Sequence, residues 1–396
     1  DDATTCSTAN FFDYDNDGDL DMYLVTHPMD FINKFKTIYF QKIETHQNLS
    51  NKLFRNNGDN TFTDVHLEAG INNHGFGLGC SVGDINNDGF QDIYVANDFG
   101  MYDFLYLNNG DGTFKDVSLT AIKRHDVSSM GVDIADMNND GYLDIYNADI
   151  EMEENYTYKT FQVSSQIEVV RALVNAGYGY QKHGNSLKLN NGNGTFSELA
   201  RTAGVGVTDW AWSPFFTDFD NDGLKDLFVS TGYLQDFAID ETETYSKLRR
   251  ACRIDDSTVY YELINALPRN VLNHPNFIYK NNGDLTFTDE RDNWGIYVPS
   301  VSYGAASADF DLDGDMDIVC SNANDNPFLY RNNSEKVSHN NYLRINLIGY
   351  AKNLNGIGAK VKIYCGDSMQ YVQQTNTRGY ISTGEHIIHF GVGKNA

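Results

Sequence analysis

Short apolar runs recur along the chain, and each is halted by an acidic stretch carrying one glycine. Leu78-Gly79-Cys80-Ser81-Val82 leads into one such stretch and Ile93-Tyr94-Val95 leaves it; Leu227-Phe228-Val229 leaves another. Runs this brief, rich in β-branched and aromatic residues and bounded by Asp, Asn and Gly, predict strands. A second element follows each. It reads Leu53-Phe54-Arg55-Asn56-Asn57-Gly58, Leu105-Tyr106-Leu107-Asn108-Asn109-Gly110, Leu187-Lys188-Leu189-Asn190-Asn191-Gly192 and Ile278-Tyr279-Lys280-Asn281-Asn282-Gly283, and runs on to Phe62, Phe114, Phe196 and Phe287. Asn-Gly between two β-forming runs is a strong hairpin signal. One unit is therefore strand, acidic loop, strand, connection, strand, Asn-Gly turn, strand, which is a four-stranded antiparallel meander.

The unit recurs five times, with loop starts 71, 52, 82 and 91 residues apart. Repetition of such a meander predicts an all-β fold, a β-propeller of four-stranded antiparallel blades. The shortest spacing approaches a bare blade, so residues 27–51, 151–185 and 232–276 are insertions. Ser165 to Ala176 and Tyr245 to Leu267 carry apolar residues at helical spacing and predict short helices. In the fifth unit Phe328-Leu329-Tyr330-Arg331-Asn332-Asn333 runs into Ser334 and a polar stretch with no Thr-Phe strand. The propeller is thus expected over 1–335. Alternation resumes at Leu343-Arg344-Ile345-Asn346-Leu347 and Val361-Lys362-Ile363-Tyr364, with turns at Asn355-Gly356 and Gly366-Asp367, so 336–396 reads as a second, small all-β domain.

The acidic stretches share a nine-residue pattern at 13–21, 84–92, 136–144, 218–226 and 309–317. Oxygen ligands at positions 1, 3 and 5, a glycine at 6 for the turn, a backbone carbonyl at 7 and a carboxylate at 9 suit one hard cation. The candidate ligands are Asp13, Asp15, Asp17, Asp19 and Asp21; Asp84, Asn86, Asp88, Phe90 and Asp92; Asp136, Asn138, Asp140, Tyr142 and Asp144; Asp218, Asp220, Asp222, Leu224 and Asp226; and Asp309, Asp311, Asp313, Asp315 and Asp317. All-oxygen sets without His or Cys disfavour zinc and copper, and Mg²⁺ demands a stricter octahedron, so the expected cofactor is Ca²⁺, about five ions. Asp and Asn also form turns without metal, but five copies with the same acids at 1, 5 and 9 argue against turns alone.

Composition narrows the function classes. The chain has 396 residues and 41% hydrophobic content, enough for a large core, with a formal charge of −26 that makes nucleic acid an unsuitable partner. Five bound Ca²⁺ would bring that charge to about −16. No apolar run reaches the ~18 residues of a membrane span, and Asp1-Asp2-Ala3 does not open a signal peptide. The five scattered cysteines, Cys6, Cys80, Cys252, Cys320 and Cys365, form no CxxC and read as mostly buried thiols. Gly79-Cys80-Ser81-Val82-Gly83 matches a nucleophile elbow, yet it lies in a strand before a metal loop, where that motif needs a strand–turn–helix. His386 and His389, three apart in an alternating strand, point to opposite faces and do not pair. Trp210 and Trp212 share a face; packing between blades is the favoured reading and a sugar-stacking platform the other. No catalytic constellation and no nucleotide-binding motif is present.

The acidic loops and the Asn-Asn-Gly hairpins together resemble the FG-GAP/VCBS repeats of integrin-α-like propellers. Asn341-Tyr342-Leu343-Arg344, Asn355-Gly356-Ile357-Gly358-Ala359-Lys360-Val361, Arg378-Gly379-Tyr380-Ile381-Ser382 and His389-Phe390-Gly391-Val392-Gly393 resemble the ASPIC/UnbV domain that follows such repeats in cartilage acidic protein-like and bacterial surface proteins. The resemblance implies a secreted or cell-surface protein with a propeller of seven blades, hence about two blades upstream of the five visible units, and a tail domain cut short. It transfers the loop ligands and no catalytic residue. The expected function is non-enzymatic, calcium-stabilised adhesion or binding of an extracellular protein or glycan. The alternative is an enzyme or accessory subunit of a surface polysaccharide-processing system, with its site in the central channel or the 232–276 insertion.

Overall fold

The computed structural model describes residues 5–27, 50–155, 177–234, 274–350 and 352–394, with a few positions between 157 and 175. Within them the repeats form five consecutive blades of a β-propeller. Blade 1 comprises Cys6–Phe12, Asp21–Thr26, Lys52–Asn56 and Phe62–Asp64; blade 2, Gly77–Gly83, Asp92–Asn97, Phe104–Asn108 and Phe114–Asp116; blade 3, Val132–Ala135, Asp144–Asn147, Ser186–Asn190 and Phe196–Glu198. Blade 4 comprises Asp209–Thr217, Asp226–Thr231, Phe277–Asn281 and Phe287–Asp289, and Ile150–Glu151 from the end of blade 3 pairs with Asp209 and Trp210 at its edge. Blade 5 has three strands, Ser302–Ala308, Asp317–Asn322 and Phe328–Tyr330, in keeping with the missing Thr-Phe run. First strands of successive blades neighbour one another and so line the axis.

Strand alternation gives each blade two apolar faces, and every interface between neighbouring blades is one apolar cluster. Tyr14, Tyr23 and Leu53 of blade 1 pack with Val82, Ile93 and Tyr106 of blade 2; Tyr94 and Leu105 on the other face pack with Ile134 and Ile145 of blade 3. Tyr146 and Leu187 meet Phe216 and Tyr279 across the next interface, and Phe215 and Phe228 meet Ile318 and Cys320 across the last. At the flanks the corresponding positions are open: Phe310 is 52% and Leu329 65% exposed, where Ile85 and Leu105 are 3% and 1%.

Two two-stranded sheets form the tail, Asn341–Ile345 with Ile388–Gly393 and Lys360–Cys365 with Ser368–Gln373. They pack on the propeller's acidic-loop end, so the tail is docked on the blades. Of the helical expectations, 245–267 lies outside the described residues, as does 165–176 apart from Arg171, Val174 and Asn175, which are helical. Short helices also stand after two of the hairpins, at Ser118–Ala121 and Ala200–Ala203. Cys80 and Cys320 are buried but Cys6 is exposed and Cys365 half-buried, so the expectation of buried thiols holds for two of the four described.

Candidate metal centres

All five acidic loops join the first and second strands of their blades at the same end of the axis, and they share one hydrogen-bond scheme. The position 1 carboxylate accepts the backbone N–H groups of positions 5 and 6, as in Asp84 with Asp88 at 3.0 Å and Gly89 at 2.7 Å. Equivalent bonds tie Asp13, Asp136, Asp218 and Asp309. The position 5 carboxylate accepts the N–H of position 7, as in Asp88 with Phe90 at 2.9 Å and Asp140 with Tyr142 at 2.9 Å. These bonds curl the loop so that its side-chain oxygens converge. Position 6 needs φ near +90°, from +89° at Gly141 to +97° at Gly89, which only glycine adopts cheaply.

Within each loop the carboxylates come together at close range. Ligand oxygens of Asp13, Asp15 and Asp17 lie within 4.8 Å of one another, as do those of Asp218, Asp220 and Asp226 and those of Asp309, Asp311 and Asp317. Burial, followed by the neighbouring acids, lifts Asp21 and Asp92 to about 7 and Asp144 to about 8 against the hydrogen bonds that lower them. Burial and the neighbours Asp222 and Asp220 likewise bring Asp218 to about 7. The Oδ1 atoms of Asp15 and Asp220 at position 3 are buried with no hydrogen-bond partner. An orphaned carboxylate oxygen facing other carboxylates is what a hard divalent cation satisfies, so the donor set fits Ca²⁺. In loops 2 and 3 position 3 is an amide, and Asn86 and Asn138 donate to Asp88 and Asp140 at 2.8 and 3.0 Å.

Two sets of asparagines that the sequence reading passed over hold the loops together as a lattice. The first Asn of each Asn-Asn-Gly hairpin donates its backbone N–H to the position 9 carboxylate, 2.8 Å for Asn108 to Asp92 and 2.9 Å for Asn281 to Asp226. Its side-chain amide crosses to the preceding blade and donates to the position 2 carbonyl there: Asn108 to Tyr14, Asn190 to Ile85, Asn281 to Met137 and Asn332 to Phe219, at 2.7 to 2.9 Å. In the other direction the position 4 asparagines Asn16, Asn87, Asn139 and Asn221, all at φ near +60°, donate to the position 6 carbonyl of the next loop. The signal was present as recurrence at a fixed offset, and it looked like turn chemistry.

The tail covers this face with cations and enters the axis. Lys360 pairs with Asp84, Arg344 with Asp309 at 2.8 Å and Lys352 with Asp19 at 2.7 Å. Arg378 donates to both oxygens of the fully buried Asp133, at 2.9 and 2.6 Å, and Gly379 exchanges two backbone bonds with Val132. A side chain at Gly379 would run into the Ser213 hydroxyl, and its φ is +64°. His389 hydrogen-bonds Asn221 at 2.6 Å. Farther along the axis Trp212, 8% exposed, packs with Met130, Ile150 and Met152, flanked by Trp210, Tyr233, Tyr303 and Tyr380, so the two indoles belong to an axial packing cluster. Ser81 of the elbow-like pattern is buried within a strand.

Comparison with known proteins agrees with this layout. The model of the FG-GAP-like repeat matches residues 43–95, 84–146 and 168–229, and that of ASPIC and UnbV matches 349–396. Cartilage acidic protein 1 of Xenopus tropicalis is 26% identical over 89% of the chain and that of Homo sapiens 31% over 47%. The chain spans 44% and 25% of their respective lengths. Among solved structures, an Agrocybe aegerita lectin that recognises non-reducing terminal N-acetylglucosamine aligns over 84% of this chain and 67% of its own, with 16% identity and a TM-score of 0.37. The Vibrio cholerae biofilm matrix protein Bap1 aligns over 80% of this chain and 35% of its own, with 13% identity and the same TM-score.

Proposed function

Because the chain belongs with the FG-GAP-repeat proteins that carry an ASPIC and UnbV segment, as a relative of cartilage acidic protein 1, we propose that it is a calcium-stabilised extracellular propeller acting by binding, without catalysis. The observation that carries the metal is the set of convergent loop carboxylates with orphaned oxygens at Asp15 and Asp220. Ca²⁺ bound by the folded state alone would add about 1.4 kcal/mol per site at tenfold excess, roughly 7 kcal/mol over five sites. That is comparable to the whole net stability of a domain. The ions would therefore be structural, fastening each loop to the lattice that joins the blades. Calcium is abundant outside the cell, which suits the secreted or cell-surface location; no described helix is long and apolar enough to cross a membrane.

The axis supports binding over catalysis. Arg378 and Asp133 on the axis are paired with each other, and the Trp212 cluster packs farther along it. The blade rims are the surface we assign to an extracellular protein or glycan. A glycan and protein array probed in calcium and in EDTA tests this: calcium-dependent capture of one ligand class is expected, and capture indifferent to EDTA would count against it.

A further inference from the structure

The five loops differ from one another in a correlated way. Position 3 is a carboxylate in loops 1, 4 and 5, at Asp15, Asp220 and Asp311, and an amide in loops 2 and 3, at Asn86 and Asn138. The residue just before the bridging hairpin asparagine is Arg55, Lys280 and Arg331 in the first group and Leu107 and Leu189 in the second. Geometry links the two positions. The Lys280 ammonium contacts Asp220 and lies 2.7 Å from Asp222, so it spans positions 3 and 5 of its loop. Arg331 does the same in blade 5, with Nε 2.6 Å from Asp311 and Nη2 3.1 Å from Asp313. Arg55 holds the same position in blade 1, beside loop 1, without an ion pair to its carboxylates among the described residues. In loops 2 and 3 the asparagine itself bridges positions 3 and 5, and Leu107 and Leu189 pack against the blade cores instead.

We propose that Lys280 and Arg331 are tethered counter-ions that hold loops 4 and 5 together without metal and compete with the divalent ion for the same carboxylates, and that Arg55, at the same position in blade 1, does so for loop 1. The extra aspartate of these loops would otherwise make them both the tightest calcium sites and the least stable empty ones. A single positive charge a few ångströms from a divalent ion, in a partly exposed loop, shifts its binding by about tenfold. One cation for each position 3 acid narrows the spread of net charge among the loops, although loops 1 and 5 keep a further acid at position 7, Asp19 and Asp315, and so narrows the range of calcium over which they fill.

The inference rests on the calcium reading, and the test separates them. The whole chain is stripped of metal and titrated with Ca²⁺ by calorimetry, with melts run in EDTA and in calcium. Lys280→Leu, which installs the side chain found in blades 2 and 3, is expected to lower the metal-free melting temperature and tighten one site about tenfold. Asn86→Asp should do the same in loop 2, and adding Leu107→Lys should reverse both effects. Lys280→Gln, which keeps length and a donor but no charge, serves if the leucine variant fails to fold. Unchanged affinity and unchanged metal-free melting in the Lys280 variants would overturn the proposal, as would weaker calcium binding. A wild-type melt indifferent to calcium, read before any substitution, would overturn the metal reading and the competition with it.

Discussion

Asn281 serves four partners. Its backbone N–H meets Asp226, its Oδ1 accepts the Gly283 N–H at 2.9 Å, and its amide reaches Lys225 O in its own blade and Met137 O in the blade before. Removing the side chain strands buried backbone groups, each costing about 1–3 kcal/mol. Asn281→Ala should therefore lower the unfolding free energy by about 2–3 kcal/mol in denaturant melts at saturating calcium. The adjacent Asn282 bonds only exposed threonines of its own turn, Thr286 and Thr288, and Asn282→Ala should stay within about 0.5 kcal/mol. Equal losses at the two positions would contradict a lattice role for the first.

At the scale of the loop, pH and the proposed metal would act through the same carboxylates. Asp21, Asp92 and Asp144 are raised in the folded chain to between about 7 and about 8, first by burial and then by their neighbours. Between the ordinary carboxylate pKa and these values the folded state holds more protons than the unfolded one, so metal-free stability falls as pH rises through that window. The metal-free protein should melt higher at pH 5 than at pH 8, and saturating calcium should flatten or invert the trend. A metal-free melt that rises with pH would contradict the loops as the site of this strain. Strands and loops were legible in the sequence because period-two runs and a nine-residue motif are local. The bridging asparagines were not, since an amide reaching the preceding blade leaves the same local trace as an Asn-Gly turn. Trp210 and Trp212 were legible as packing residues, but their place on the axis depends on Tyr303 of the next blade and Tyr380 of the tail.

At the scale of the molecule the tail is tied to the blades through the axis. Asp133 is fully buried and accepts from Arg378 at both oxygens, so Arg378→Ala leaves a buried carboxylate without its partner, costing about 3–5 kcal/mol. Hydrogen exchange should show the loss spreading from Val132 and Gly379 to the strands of 360–373; loss confined to blade 3 would contradict docking through this pair. The same face carries the acidic loops, where Lys360 and Arg344 meet the position 1 carboxylates, so tail, loops and blades form one cooperative unit. The proposed dependence of that unit on calcium is tested directly by a calorimetric titration of the metal-stripped chain paired with melts in EDTA and in millimolar calcium. About five bound ions and a large upward shift of one cooperative transition are expected. A transition at the same temperature in both buffers, with no heat of binding, would contradict it.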